Sequence, residues 1–596
     1  MLRAFQWDLA RQVERLDWLL AQLPRYAAWG YNELYLHLED AIEYPSLPGV
    51  ARRDAYSRKQ FARLVDAATH VGIGVVPIVN LLGHTQYLIK VPELRELNEL
   101  RAADGAPLER GQICPVHPRT LEIAEKLLRD VAPFCTAGKV HVGLDESFHL
   151  GKHPLSRKEI ARVGRAAHFT RYVGRLRALT GSLGLRMGMW ADMLYFLPGA
   201  IPLLPRDVAV YEWYYYSFAR RPRVELFNFS ESDIGERLCA RGLEYWGCPM
   251  NGAFRHEPLP HFTDRLENIL SWWRHCGRMN AAGFLVTSWE PNRLTLELTT
   301  VVDAAAASLW LDGGEMTPRV MLEKGFARVF GKTSARRSAR VALASDRFPF
   351  SGYPRWEINA NWDVVSRREP IAPYREEEKF FARLAREARN LPAPLRASIE
   401  FRHYLAQRDR FVRRGGKRPS MRAGLNAARI MWQRTRTGHG PNEAIVRADA
   451  ARQRSEGWQL CYRVENFAPV VQLVAVEQRC AGGSWSARQA CHTIEFQARA
   501  ARPRGGLTRE HAAPIAWDGD PANPPRLRFV LRGVGQVKIS AVALTDGVAT
   551  WRAKLARTVL GKPAPKRGWP KVDFARDRDR AKIRFATRAS ARKSRR

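Results

Sequence analysis

Asn32-Glu-Leu-Tyr-Leu-His-Leu38 and, beyond an amphipathic stretch over residues 58–71, Gly74-Val-Val-Pro-Ile-Val-Asn80 decide the reading of the fold. Both runs are short and rich in Leu, Val, Ile and Tyr. The segment between them spaces its apolar residues as a helix does. Together they make the strand–helix–strand pattern of a parallel sheet. Residues 75–79 are apolar throughout, as a strand packed inside a barrel requires.

Outward from this unit the rhythm continues through the first 315 residues. It predicts strands at 3–9, 32–38, 74–80, 139–144, 185–190, 208–213, 243–248 and 283–289. Helical periodicity fills the gaps, for instance at 12–26, 120–131, 166–183 and 266–279. Eight such units in this length predict the α/β class, with a (β/α)₈ TIM barrel over residues 1–315. A doubly wound sheet would carry a glycine-rich phosphate turn after its first strand, and none is present. Residues 316–435 are rich in helix formers and charge and read as a helical region. Residues 440–550 change to short alternating runs between Gly, Pro and Asn turns, which predicts a small β-sandwich-like accessory domain. Residues 561–596 read as a basic flexible tail.

The 596-residue chain carries a net charge of +36, eight Cys and eighteen Trp. Residues 551–596 hold 17 Lys and Arg against 3 Asp, a net +14. That tail could attract a polyanion, although a solvated tail is the favoured reading of the charge. The spacing of the cysteines matches no zinc site, so no metal is expected. Reduced thiols are the expectation, with Cys461, Cys480 and Cys491 the one group close enough in sequence to pair. No basic leader precedes a long apolar run, and no stretch is long and apolar enough to span a membrane, which leaves a cytoplasmic location as the expectation.

Catalytic groups of such a barrel sit at the C-terminal ends of the strands. The polar residues there are Asp8 and Arg11, then His37, Glu39 and Asp40, then Asn80 and His84. Asp145 and Glu146 end the fourth strand, and Trp190 and Asp192 the fifth. Glu212, Trp213 and Tyr214 end the sixth, Trp246 and Asn251 the seventh, and Ser288, Trp289 and Glu290 the eighth. Acids among aromatic rings suit glycoside chemistry. A glycosidic oxygen needs a proton from a carboxylic acid, and the oxocarbenium-like transition state needs a second group to supply electrons. Any one of these carboxylates could equally cap a helix or pair with Arg, and any one Trp could be core. It is the collection of them on one rim that favours a site.

The segment His141-Val-Gly-Leu-Asp-Glu146 resembles the His-x-Gly-x-Asp-Glu signature of family 20 glycoside hydrolases. Arg3-Ala-Phe-Gln-Trp-Asp-Leu-Ala-Arg11, Tyr35-Leu-His-Leu-Glu-Asp40 and Val76-Pro-Ile-Val-Asn-Leu-Leu-Gly-His84 resemble that family's first three strands, in order. The run through Gly151 and Met189-Trp-Ala-Asp-Met193 is most similar to the hexosaminidase D-like branch. The resemblance covers about residues 1–315. It implies release of β-linked N-acetylhexosamine by substrate-assisted retaining catalysis, in which the substrate's 2-acetamido carbonyl attacks the anomeric carbon. It further implies Glu146 as general acid and then base, with Asp145 orienting the acetamido N–H and stabilising positive charge. Arg11 would bind ring hydroxyls, and His84 and His141 would tune the acids by hydrogen bonding. Trp190, Trp213 and Trp289 would box the sugar, Tyr214 would reach the acetamido oxygen, and Asp192 and Glu290 would contact substrate. The resemblance implies no cofactor, and the substrate is an amino-sugar glycoside or oligosaccharide. The pattern departs from the family at Leu144, Glu212 and Trp289-Glu290-Pro291, with Glu297 an alternative to Glu290. Two other readings stay open. One is a retaining glycosidase whose nucleophile is Asp192 or Glu212, and the other is a non-catalytic carbohydrate-binding barrel.

Overall fold

The computed structural model describes residues 1–218, 234–252, 258–289, 293–313, 316–348, 372–414, 419–451, 458–466, 472–480, 482–492, 508–518, 520, 523–533, 535–545, 550–562 and 578–585. Eight parallel strands close into a barrel in sequence order: β1 (Leu2–Asp8), β2 (Glu33–His37), β3 (Gly74–Ile78), β4 (Lys139–His141), β5 (Arg186–Trp190), β6 (Ala209–Trp213), β7 (Glu244–Cys248) and β8 (Gly283–Val286). The closure is direct, with Leu2 paired to Gly283 and Phe5 to Val286. Each predicted strand has its counterpart. β4 stops earlier than expected because Gly143, Leu144 and Glu146 all take positive φ, which no strand can continue.

The interior is filled by Ala4, Tyr35, Val76, Ile78, Trp190, Ala209, Tyr211, Trp246 and Leu285. Space for the Trp246 indole comes from Gly283, where a Cβ would stand 2.2 Å from the ring. The N-terminal end is plugged by polar groups that satisfy one another. Lys139 Nζ donates to Glu33 at 2.7 Å, and the Tyr35 and Tyr211 hydroxyls lie 2.7 Å apart. The outer helices include Leu16–Ala28, Arg58–His70, Thr120–Val131, Arg165–Ser182 and Phe262–Arg278. Arg58–His70 starts on a reciprocal cap between Ser57 and Gln60 and buries Phe61, Leu64, Val65 and Ala68, an i, i+3, i+4, i+7 face.

Further helices follow, Leu296–Ala306, Pro318–Phe330, Lys332–Ser345, Ala372–Glu387, Ala393–Arg414, Met421–Gln433 and Pro441–Ala451. The last of these falls where the sequence suggests the β-rich part begins. Nine antiparallel strands come next: β9 (Trp458–Asn466), β10 (Gln472–Arg479), β11 (Trp485–His492), β12 (Thr508–Ile515), β13 (Leu527–Gly533), β14 (Val537–Thr545), β15 (Thr550–Leu555), β16 (Val559–Leu560) and β17 (Arg578–Phe585). Their order is β11-β10-β13-β17-β15-β14-β9-β12, with β16 on β14. One apolar core, including Leu460, Val474, Phe529, Ile539 and Ile583, receives side chains from strands across this sheet.

β17 corrects the expectation of a flexible tail over 561–596. It lies between β13 and β15, buries Ala581 and Ile583, and turns its charges outward. Its two inward residues are too few to stand out among so many Arg and Lys. Residues 563–577 and 586–596, which carry most of the tail's remaining charge, lie outside the described residues. Cys480 is a free thiol, and the side chain of Cys491 lies outside the described residues. Among the described residues no helix is long and apolar enough to cross a membrane, and no group of three His, Cys, Asp or Glu is placed to hold a metal.

Candidate active site

Two polar clusters sit side by side at the C-terminal ends of β1 to β5. The first joins Asp8, Arg11, His37, Glu39 and Asn80. His37 Nδ1 lies 2.8 Å from Asp8 Oδ1, and its Nε2 lies 2.9 Å from Asn80 Nδ2 and 3.4 Å from Glu39. Arg11 Nη1 lies 3.2 Å from His37 Nδ1 and 3.5 Å from Glu39. Burial works to lower His37, but Asp8 and Glu39 outweigh it and hold the ring above its ordinary range. Burial likewise works to raise Glu39, and His37 and Arg11 outweigh it in the other direction.

The second cluster is the acid pair itself. His84 Nε2 lies 3.2 Å from Asp145 Oδ2 and 3.1 Å from Glu146 Oε2. The backbone N–H of Glu146 donates to Asp192 Oδ2 at 2.8 Å. Burial would strip the charge from His84, yet Asp145 and Glu146 raise it well above its ordinary value. The cation then works back on Asp145. Burial pushes that carboxyl up, but His84 and His37 bring it below the usual range, so it is ionised. Asp192 goes the other way. It is buried beside Asp145 and Glu146, and both effects raise it well above a normal Asp, so it holds its proton.

The backbone that aims these groups is strained. Glu39, His84, Leu144 and Glu146 all have φ between 42° and 76°, and none is glycine. Two glycines allow the close approach. A Cβ on Gly83 would stand 1.7 Å from the Asp145 carbonyl oxygen, and one on Gly143 would stand 2.2 Å from Asn80 Oδ1. Successive side chains therefore leave the end of β4 in directions that a regular strand would not give them.

Aromatic rings line the site. Trp190 lies 4.3 Å from His141 and 5.6 Å from Trp289, edge to face with the latter. Trp289 lies 5.2 Å from His37 and 6.0 Å from the Arg11 guanidinium. Trp213 stacks on Tyr215 at 4.9 Å with 19° between the rings. Several buried polar atoms here have no partner in the protein: Asp145 Oδ1, Asp192 Oδ1, and the indole N–H groups of Trp190 and Trp289. Buried polar atoms are rarely left so, and groups that converge on one mouth are placed for a bound molecule.

The structure thus brings together Arg11, His84, Asp145, Glu146, Trp190, Asp192, Trp213 and Trp289. Two expectations change, and a third falls outside the described residues. His141 bonds neither acid. Its Nδ1 accepts the Gly143 N–H at 3.1 Å, its Nε2 has no partner, and burial lowers it to about 3, so it is a neutral support beneath Trp190. Tyr214 packs into the outer core near Phe218, and its carbonyl accepts from Trp272, whereas Tyr215 is the tyrosine that feels the charges of Asp145 and Glu146. Strict alternation from Tyr211 and Trp213 would have picked Tyr215. Glu290 lies outside the described residues. Its alternative, Glu297, is held by Arg434 at 2.6 and 2.7 Å. The cluster around His37 was visible as strand ends, but its mutual pairing depends on β1, β2 and β3 being neighbours.

Residues 1–221 match the sequence model of the glycosyl hydrolase family 20 catalytic domain. The matched part includes β1 to β6, and with them both polar clusters. The chain is 24% identical over 315 residues to hexosaminidase D of Bos taurus, across 48% of this chain and 84% of that protein. It is 23% identical over 307 residues to a beta-hexosaminidase of Vibrio furnissii, across 43% of this chain. The chain spans about half, 48%, of the length of that second relative. Flavobacterium johnsoniae chitobiase aligns in structure with a TM-score of 0.45 at 14% identity, over 75% of this chain and 78% of that one.

Proposed function

We propose that this protein is a glycoside hydrolase that removes β-linked N-acetylhexosamine, N-acetylglucosamine or N-acetylgalactosamine, by substrate-assisted retaining catalysis. The observation that carries the reading is the placement of Asp145 and Glu146 on one protonated His84, at 3.2 and 3.1 Å. Asp145 enters the reaction ionised with Oδ1 free of protein partners, so that atom accepts the acetamido N–H. This turns the acetamido oxygen toward the anomeric carbon, and the nearby negative charge favours the oxazolinium ion. Glu146, whose side chain is more exposed than that of Asp145, protonates the leaving oxygen and then activates water. Trp190 and Trp289 wall the sugar and offer two unpartnered N–H donors. Arg11 reaches ring hydroxyls, and the Tyr215 hydroxyl is the donor for the acetamido oxygen.

An enzymic nucleophile finds little support. Glu212 faces out of the barrel, held by the hydroxyls of Tyr195 and Tyr245, and Asp192 keeps its proton. The decisive experiment is hydrolysis of chromogenic N-acetyl-β-glucosaminide and its galacto isomer by wild type and Glu146→Gln, with a plain β-glucoside alongside. Turnover of the acetamido sugars alone, lost in the variant, is the expected result. Turnover of the plain glucoside would overturn the substrate-assisted step, and no turnover at all would favour a binding protein.

A further inference from the structure

The first and last strands of the barrel meet at a seam, and the loops leaving them carry Arg11 and Trp289. A segment four hundred residues downstream of the first loop, residues 432–442, is built into both. It joins the helices Met421–Gln433 and Pro441–Ala451. Arg436 Nε lies 2.8 and 3.0 Å from the two oxygens of Glu14, and its Nη1 donates to the Leu294 carbonyl at 3.0 Å. Both side chains of this ion pair are sealed, at 1% and 2% exposure. Arg15 N–H donates to the Thr435 carbonyl at 2.8 Å, and Asn442 Nδ2 donates to the Arg293 carbonyl at 3.0 Å. On the outer edge Arg434 grips Glu297 with two bonds. Glu14 is also fixed from the barrel side, by Gln12 Nε2 at 2.5 Å.

An ion pair this deep is a weak source of net stability, because removing both charges from water offsets most of their attraction. What it does supply is geometry. A planar guanidinium that takes a carboxylate on one edge and a carbonyl with another N–H fixes the distance between the two loops it bridges. Glu14 is three residues past Arg11, and Leu294 is five past Trp289. Arg11 and Trp289 in turn lie 6.0 Å apart, both against His37.

We infer that Arg436 is a positioning residue for the sugar-binding side of the site: from outside the barrel it holds the Arg11 and Trp289 loops in register, which makes residues 434–442 part of the binding machinery. The inference rests on the reading of the barrel mouth as a glycosidase site. Arg11 and Trp289 would hold the sugar in the ground state and the transition state alike, so loosening them raises KM more than it lowers kcat.

The test uses the full chain. Arg436→Met alone would leave the Glu14 charge buried without a counter-ion, so the main variant is the double Glu14→Gln/Arg436→Met, which removes both charges. The second is Arg434→Gln, at an edge whose Arg side chain is 42% exposed. The double variant is expected to raise KM for the N-acetyl-β-glucosaminide on the order of tenfold with kcat held within about threefold. Arg434→Gln moves KM the same way by less. Amide hydrogen exchange should quicken in residues 9–15 and 293–297 while residues 139–146 stay as in wild type. Unchanged exchange in both loops, or a fall in kcat at constant KM, would overturn the clamp. If wild type turns over no acetamido sugar, the glycosidase reading fails, and the exchange pattern still decides whether Arg436 holds the loops.

Discussion

Asp145 and Asp192 end neighbouring strands, are both buried, and rest in opposite charge states. The difference is their partners: Asp145 has the His84 cation, while Asp192 has an N–H donor and two acids beside it. That difference gives contrasting expectations for matched substitutions. Asp192→Asn replaces a neutral acid by a neutral amide that still accepts from the Glu146 N–H, so kcat should stay within about fivefold of wild type. Asp145→Asn removes a working anion and should lower kcat by about 10²–10³-fold. Steady-state kinetics on both variants decides the matter, and an inactive Asp192→Asn would make Asp192 a nucleophile after all. His84 supplies the sign of the pH dependence. Its positive charge lowers Asp145, so His84→Asn raises the Asp145 pKa, and Asp145 then protonates at a higher pH as the solution is acidified. The acid limb of the kcat/KM profile should shift to higher pH. The choice of tyrosine is tested the same way, with Tyr215→Phe impaired on acetamido substrates and Tyr214→Phe close to wild type.

Elements bring these residues together through backbone that sequence patterns do not report. Gly83 lies so near the Asp145 carbonyl that a methyl group has nowhere to go. Gly83→Ala should therefore fold, with the loop after β3 displaced, and lose about 10²-fold in kcat/KM from a shift of roughly an ångström at the acids. Circular dichroism and kinetics together check this, and full activity would mean that the loop yields without cost. The barrel itself was legible because short strand-like runs alternate with helical periodicity, with residues 75–79 apolar throughout as burial on both faces requires, and because acids and rings gathered at the strand ends. The early end of β4 was not legible. Leu144 and Glu146 are ordinary residues in left-handed backbone, and only the surrounding structure holds them there. His141 misled because its place beside the acids in sequence implies contact, whereas its side chain turns into the barrel beneath Trp190. β17 was missed because composition outweighed its two inward residues.

At the scale of the whole molecule, the helices after the barrel are tied to it by buried groups whose ionisation should show in its stability. Asp346, just past the helix Lys332–Ser345, accepts from the N–H groups of Phe262 and Thr263 at 3.1 and 2.8 Å and from the Thr263 hydroxyl at 2.6 Å. It thereby caps the start of the barrel helix Phe262–Arg278. Those bonds pull its pKa down, but burial is the larger effect and raises it to about 7. Asp303 is raised to about 7 by burial as well, against bonds from Tyr26 and Asn251. An acid raised in the folded state keeps a proton that the unfolded chain has already released. The contribution to stability is therefore full below about pH 4 and is lost as the pH rises to about 7, by at most roughly 4 kcal/mol per group. The net charge of +36 produces a trend of the opposite sign, because acid adds to self-repulsion, so wild type alone will not show the effect cleanly. Asp346→Asn isolates it. Asn caps helices nearly as well as Asp and cannot ionise, and the global charge term is almost common to both proteins. The Tm of wild type minus that of the variant should fall by at least about 2 °C between pH 4.5 and pH 7.5. A difference that is flat or rises over that interval would mean that the helix N-terminus, and not burial, governs Asp346, and that the junction between barrel and helices is held by a carboxylate anion.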